Sequence, residues 1–325
     1  PAYIPAPDEH TPDVETMQET LAQLPDTDFI FINLGDVDRS AHASGPGTRT
    51  AVLSATDTQV GLLVDELQSS GRWDNTVLFL VSDHGMDYSI PVNVINLQPL
   101  LNAYAGCGLP AMTAIDNGGT DSIYFNDPAT PLALRQSALR TLRSCVLGTT
   151  PCATACPAAS RPMNAAQVAF AWYSQPDAAD PLGTLPANVQ SGHPNLGGLV
   201  LVANAGYRFS ESSQTSNPIP GNHGHVVTLH NTFIVSGGSP WVKKGQVIAP
   251  SSTEFSLLDR LPEQSENIDL APTVAWLMGL GLRNQDFPDF AQTGGGFDGR
   301  ILKEAFTQFD ANASAASPSL CGRFD

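Results

Sequence analysis

Three short stretches of the chain combine aspartate and histidine with small residues: Asp38-Arg-Ser-Ala-His42, Val81-Ser-Asp83-His84-Gly85-Met86 and Gly221-Asn-His223-Gly-His225. Carboxylate oxygen and imidazole nitrogen together suit zinc or a similar first-row ion, whereas calcium takes oxygens almost alone. Gly85 and Gly224 directly follow histidines, which removes side chains where an ion or substrate must come close. A single Asp-x-x-x-His is common and carries little weight, and so does one Asp-His pair; it is their recurrence that points to a metal centre. Asp36 is a rival carboxylate two positions before Asp38, but the +4 spacing to His42 favours Asp38. On an alternating strand His225 shares a face with His223, so it is read as a supporting or plain polar neighbour. His10 and His193 are read as surface or loop residues, and Met86 and Trp241 as packing.

The elements that must carry these residues are legible from periodicity. Thr11-Pro-Asp13 opens a helix on which Val14, Met17, Leu21 and Leu24 recur at helical spacing up to Pro25. An apolar run, Asp28 to Leu34, reads as a strand. Residues 49–70 read as an amphipathic helix with Val60, Leu63, Val64 and Leu67 on one face, closed by Gly71. Residues 76–82 read as a second strand, apolar on both faces. Helix between two such strands predicts a βαβ unit, and hence an α/β fold with a mostly parallel central sheet and helices on both faces. Further strands are expected at 122–126, 198–203 and 232–236, and helices at 132–147 and 269–280. The Ala/Pro/Ser-rich stretch 145–195 reads as an inserted loop or cap in a single domain over 1–325. In such sheets ligands gather beyond the carboxyl ends of strands, where Asp38/His42 and Asp83/His84 are expected to meet.

Composition narrows the function. Fifteen Lys+Arg against 32 Asp+Glu give a net charge of −17, with lysine only at 243, 244 and 303. Such a surface repels a nucleic-acid backbone, so nucleic-acid polymers are excluded as partners, and a small anionic substrate fits only where bound cations reverse the local field. No apolar run approaches the roughly 20 residues of a membrane helix. Of the five cysteines, Cys145, Cys152 and Cys156 cluster in a Pro/Ala-rich loop without a fourth ligand at zinc-finger spacing. They are expected to supply a local disulfide, with Cys107 or Cys321 linking to a segment outside this chain, which together suggest a secreted or periplasmic protein. The chain starts at Pro1 without an initiator methionine, so a processed product or part of a longer chain is expected.

The order Asp38, His42, Gly45-Pro46, then Ser82-Asp83-His84-Gly85-Met86, then Asn222-His223-Gly224 resembles the alkaline phosphatase superfamily, most closely its nucleotide pyrophosphatase/phosphodiesterase-like branch. The stretch from Asn267-Ile-Asp-Leu-Ala-Pro-Thr to Gly279 is similar to that family's closing helix, and the resemblance runs over about residues 12–285. It implies two divalent metal ions, zinc, with Asp38, His42 and His223 on one and Asp83 and His84 on the other. It also implies a Thr or Ser nucleophile and a further Asp, both N-terminal to the first matched segment. Upstream of Asp38 there is no Thr-Pro-Asn motif, and Thr11-Pro12 is followed by Asp13. The nucleophile is therefore expected on an N-terminal portion of the same protein, separate or cleaved. The function so implied is hydrolysis of a small phosphoester, by a phosphodiesterase/nucleotide pyrophosphatase; the alternatives are a catalytically silent metal-binding fragment or pseudoenzyme and, among enzymes, an alkaline phosphatase-type monoesterase. A sulfatase is disfavoured by the absence of a formylglycine motif, and a phosphomutase by the scarcity of lysine.

Overall fold

Residues 11–159, 167–184, 197–210, 219–229, 231–245, 265–278 and 299–307 are described by a computed structural model of the chain. Among them the helices are α1 (Asp13–Gln23), α2 (Asp36–Ser44), α3 (Thr50–Ser69), α4 (Gln98–Gly106), α5 (Leu132–Val146) and α6 (Leu270–Leu277). The strands are β1 (Leu78–Val81), β2 (Asp87–Tyr88), β3 (Val94–Ile95), β4 (Met112–Asn117), β5 (Thr120–Phe125), β6 (Val168–Tyr173), β7 (Leu199–Ala203), β8 (Arg208–Phe209), β9 (Gly221–Asn222) and β10 (Phe233–Ser236). Two compact units result. The first takes residues 1–35, 54–83 and 231–325, the second residues 36–53 and 84–230.

In the first unit α1 starts at Pro12 with Asp13 and Glu15 in its first turn, where carboxylates suit the helix dipole. The buried carboxylate of Asp13 accepts a hydrogen bond from the Thr56 hydroxyl on α3. Met17 and Leu24 pack with Leu63 and Leu67, and Ile30, Ile32 and Leu34 join that cluster. The alternating burial of 28–34 is therefore that of a strand, but the run has no ladder partner among the described residues and Phe29 and Phe31 stay exposed. The Arg72 guanidinium fixes its entrance by donating to the carbonyls of Leu24 and Thr27. The expected strand 76–82 appears as β1 and pairs antiparallel with β10, Leu78 opposite Ser236 and Val81 opposite Phe233. Phe79, Phe233 and Val235 then pack on Leu277, Leu302 and Phe306. A capping box between Glu266 and Asp269 starts the turn that leads into α6, the start of the expected closing helix; residues 279 and 280 lie outside the described set.

The second unit is built on a four-stranded sheet in the order β4-β5-β7-β6, antiparallel throughout. Its buried face, Met112, Ile123, Leu199, Leu201 and Ala171, packs on Leu100, Leu101 and Tyr104 of α4 and Leu139 and Leu142 of α5. The predicted strands at 122–126 and 198–203 and the helix at 132–147 are β5, β7 and α5. Their directions differ from the expected parallel sheet: among the described residues a parallel pairing joins β3 to β8, and the larger ladders run antiparallel. The physical reason is connectivity. A tight Gly118-Gly119 turn returns β4 directly as β5, which no parallel neighbour could do. Within the stretch read as an insertion, β6 forms the edge of this sheet.

Two disulfides close over the core, Cys107–Cys156 and Cys145–Cys152. The local bridge expected among the clustered cysteines is present, whereas Cys107 does not link to a segment outside the chain: it is committed to Cys156. Cys321 lies outside the described residues. Nearby, Arg140 on α5 donates to the buried Asp177 carboxylate at 2.6 Å, and Arg143 and the Tyr173 hydroxyl both donate to Asp180 at 2.8 Å. Burial first, then the Asp180 carboxylate, drives the Tyr173 phenol upward, so it stays a donor at physiological pH. Arg140→Met strips the buried Asp177 carboxylate of its cationic partner. With Arg140 itself about a third exposed, the expected loss is about 1–3 kcal/mol, read as a lower midpoint in urea at unchanged slope.

Candidate metal centre

Asp38 and His42 lie one helical turn apart on α2, which explains why their spacing is four: positions i and i+4 share a helix face. The structure thus places them on a helix that follows the extended run, not at the end of a paired strand. Asp36 and Asp38 both occupy the first turn, where the helix N-terminus favours carboxylates. They point to different partners. Asp36 pairs with Arg39 at 3.2 Å, and Asp38 reaches His42, Oδ1 to Nε2, at 3.5 Å. This favours Asp38 over its rival.

His223 is delivered by β9, whose two residues pair with Asp87 and Tyr88 of β2. Ligand-type atoms of Asp38, His42 and His223 all lie within 4.8 Å of one another. The rings of His42 and His223 meet edge to face with centroids 5.1 Å apart. His84 adjoins the group, its ring stacked on His223 at 3.7 Å and its Nε2 3.9 Å from Asp38 Oδ1. Four of the five residues singled out from the sequence are therefore neighbours. The fifth, Asp83, ends the first unit and is set by its own surroundings there: the Asn267 side-chain amide donates to the carbonyls of Ser82 and Asp83 at 3.2 and 3.0 Å, and Asn231 donates to Ser82 at 2.7 Å.

Ring tautomers follow from the backbone. A carbonyl can only accept, so His42 Nδ1, 2.9 Å from the Gly221 oxygen, carries the proton and Nε2 presents a lone pair. His84 Nδ1, 3.0 Å from the Gly85 oxygen, is fixed in the same way. Both Nε2 lone pairs then face Asp38 Oδ1, a buried oxygen that has no hydrogen-bond donor among the described residues. Acceptors converging on an orphaned carboxylate oxygen repel unless a cation sits between them, so the residues present fit a divalent ion. His225 plays another part. It is fully buried and its Nε2 donates to the Tyr207 carbonyl, anchoring the loop.

Gly221 makes the close approach work. A Cβ there would collide with the Ala41 carbonyl, so only glycine lets β9 lie against α2 and present its own carbonyl to His42. No site role was expected for this carbonyl, for Asn231 or for Asn267. Asn231 flanks no recognisable site pattern, Asn267 is legible only as the start of the closing helix, and Gly221 stands out only by preceding Asn222-His223.

The profile of the family described as type I phosphodiesterase / nucleotide pyrophosphatase matches residues 5–226, which include all five of these residues. The chain belongs to that family. Among curated proteins it is similar to the bis(5'-adenosyl)-triphosphatase enpp4 of Xenopus laevis, 28% identical over 120 residues that make up 36% of this chain and 24% of the relative. Among solved structures it resembles murine ectonucleotide pyrophosphatase / phosphodiesterase 5, with a TM-score of 0.50 and 19% identity, and the human protein of that name, with 0.51 and 16%. Each likeness covers 74% of this chain and 56% of the other, and shows a shared α/β fold. This family member thus spans about a quarter of that curated relative and little more than half of those structures.

Proposed function

We propose that this chain forms the metal-holding part of a phosphoester hydrolase of the phosphodiesterase/nucleotide pyrophosphatase type. The observation that carries the reading is the orphaned Asp38 oxygen faced by the His42 and His84 lone pairs beside His223, in a chain of this family. Asp38, His42 and His223 would hold one divalent ion, zinc by the mixture of donors. Asp83 and His84 would contribute to a second. Bound ions would supply Lewis-acid stabilisation of phosphoryl oxygens and of a deprotonated nucleophile. The chain's own residues hold the donors in place: the Gly221 carbonyl sets the His42 tautomer, Asn231 and Asn267 fix the backbone at Ser82 and Asp83, and Asp38 stands in the first turn of α2, where a carboxylate suits the helix dipole. A surface of net charge −17 also makes a cationic centre necessary for a phosphate-bearing substrate. The Xenopus relative is named a bis(5'-adenosyl)-triphosphatase, which favours nucleotide anhydrides and diesters over simple monoesters. The two disulfides support an exported protein, secreted or periplasmic.

The nucleophile is assigned to an N-terminal segment outside residues 1–325, because no Thr-Pro-Asn motif precedes Asp38. The test is hydrolysis of bis-p-nitrophenyl phosphate at matched zinc, by this chain and by the chain extended with a segment carrying Asp and Thr or Ser. The extended protein is expected to be faster by orders of magnitude, since metal-bound water would be the only attacker otherwise. Equal high rates would place the nucleophile within residues 1–325. Two silent proteins that still bind zinc would favour the pseudoenzyme.

A further inference from the structure

We propose that the tip of the β4–β5 hairpin, Gly119 with Thr120, is the positioning element of His223 and so sets the metal affinity of the centre; this rests on reading His223 as a ligand. The hairpin contacts the histidine's backbone, not its ring. The Gly119 N–H donates to the His223 carbonyl at 2.7 Å, and the Thr120 hydroxyl donates to the Gly224 carbonyl at 2.9 Å. The peptide groups on the C-terminal side of His223 are thus both held by two consecutive hairpin residues. The N–H of the first of these peptides, that of Gly224, donates to the Thr228 hydroxyl at 3.0 Å, and on the N-terminal side the His223 N–H donates to the Asn222 side-chain oxygen at 2.8 Å.

The hairpin is itself immobilised. The Gly119 carbonyl accepts from the Ala203 N–H and the Gly118 carbonyl from the Phe209 N–H, both at 2.8 Å. β5 continues from the tip into the core sheet, where Asp121 and Ile123 are buried. Position 119 has no room for a side chain: a Cβ would lie 2.7 Å from Gly224 C and His225 N and 2.8 Å from the His223 oxygen, all backbone atoms that cannot swing aside. The loop bearing His223 is therefore clamped before an ion arrives. A ligand ordered in advance loses less conformational freedom on binding, so the clamp raises affinity without touching the ion.

Thr120→Val keeps the shape and removes the hydroxyl, Thr120→Ser restores it, and Gly119→Ala wedges the clamp open. Zinc affinity is measured on each folded, metal-stripped protein by competition with a chromophoric chelator, alongside its melting temperature without metal and its cobalt(II) absorption spectrum. The expected result is a 10- to 100-fold weaker affinity for Thr120→Val and Gly119→Ala, the range seen when groups supporting metal ligands are lost, with a changed cobalt spectrum and recovery to within about twofold in Thr120→Ser. Wild-type affinity and spectrum in Thr120→Val and Gly119→Ala, whatever their melting temperatures, would overturn the proposal. His223→Ala is run in parallel to separate the two readings. If that variant keeps its full metal complement, the ligand assignment fails; if it loses an ion while Thr120→Val binds as wild type, the ligand stands and the clamp falls.

Discussion

Replacing His223 with alanine is expected to remove one bound metal equivalent and, on the proposed function, to lower hydrolysis of bis-p-nitrophenyl phosphate by more than about 100-fold, since loss of a mere supporting group already costs up to that much. The argument is geometric. His223 supplies the third donor of the group with Asp38 and His42, and its ring also stacks on His84, so truncation empties a donor position and frees a second ring at once. His223 is partly exposed, with no place in the hydrophobic clusters, so the fold should survive the change. Metal content by mass spectrometry and circular dichroism read the two consequences separately. Two full equivalents in the folded variant would refute the assignment. Wild-type protein should also melt at lower temperature under a strong chelator, because an ion bound to the native state stabilises it by mass action.

The second large effect is expected at a residue with no side chain. Gly221→Ala pushes a methyl group into the Ala41 carbonyl of α2, and two backbones must separate to admit it. Overpacking of this kind costs about 1–3 kcal/mol. The same shift withdraws the Gly221 carbonyl from His42 Nδ1, which loosens the tautomer that points Nε2 at Asp38. Zinc affinity should therefore fall about 10- to 100-fold beyond the stability loss. Urea denaturation of the metal-free protein gives the first quantity and chelator competition the second. A variant destabilised yet binding zinc as the wild type does would show that the carbonyl contributes packing alone.

How far the sequence could be read is clearest at α2. Asp38 and His42 stood out only because their Asp-x-x-x-His recurs with Asp83-His84 and Asn222-His223-Gly224, and the polar composition of 36–44 hid the helix that sets their spacing. The apolar runs that became β1, β5, β7 and β10 were visible as strands, since alternation and burial leave a composition signal. Their directions were not, because an apolar run looks the same whichever way its neighbour runs, and the deciding feature was the short Gly118-Gly119 turn. β4, Met112 to Asn117, escaped because a strand of mixed polarity takes its identity from its neighbours, and β6, an apolar run, because it lies inside a stretch read as an insertion. Cys107 stood with Cys321 as a candidate for a partner outside the chain because its mate is 49 residues away and only the fold brings them together. Backbone carbonyls, such as that of Gly221, carry no mark in a sequence at all.

Whether Asp38, His42 and His223 share an ion is read from anomalous diffraction at the zinc edge, with crystals of the zinc-loaded protein. A peak is expected about 2.0–2.2 Å from His42 Nε2, a His223 ring nitrogen and an Asp38 carboxylate oxygen. No peak among these three residues, or a zinc held by other side chains, would contradict a shared ion.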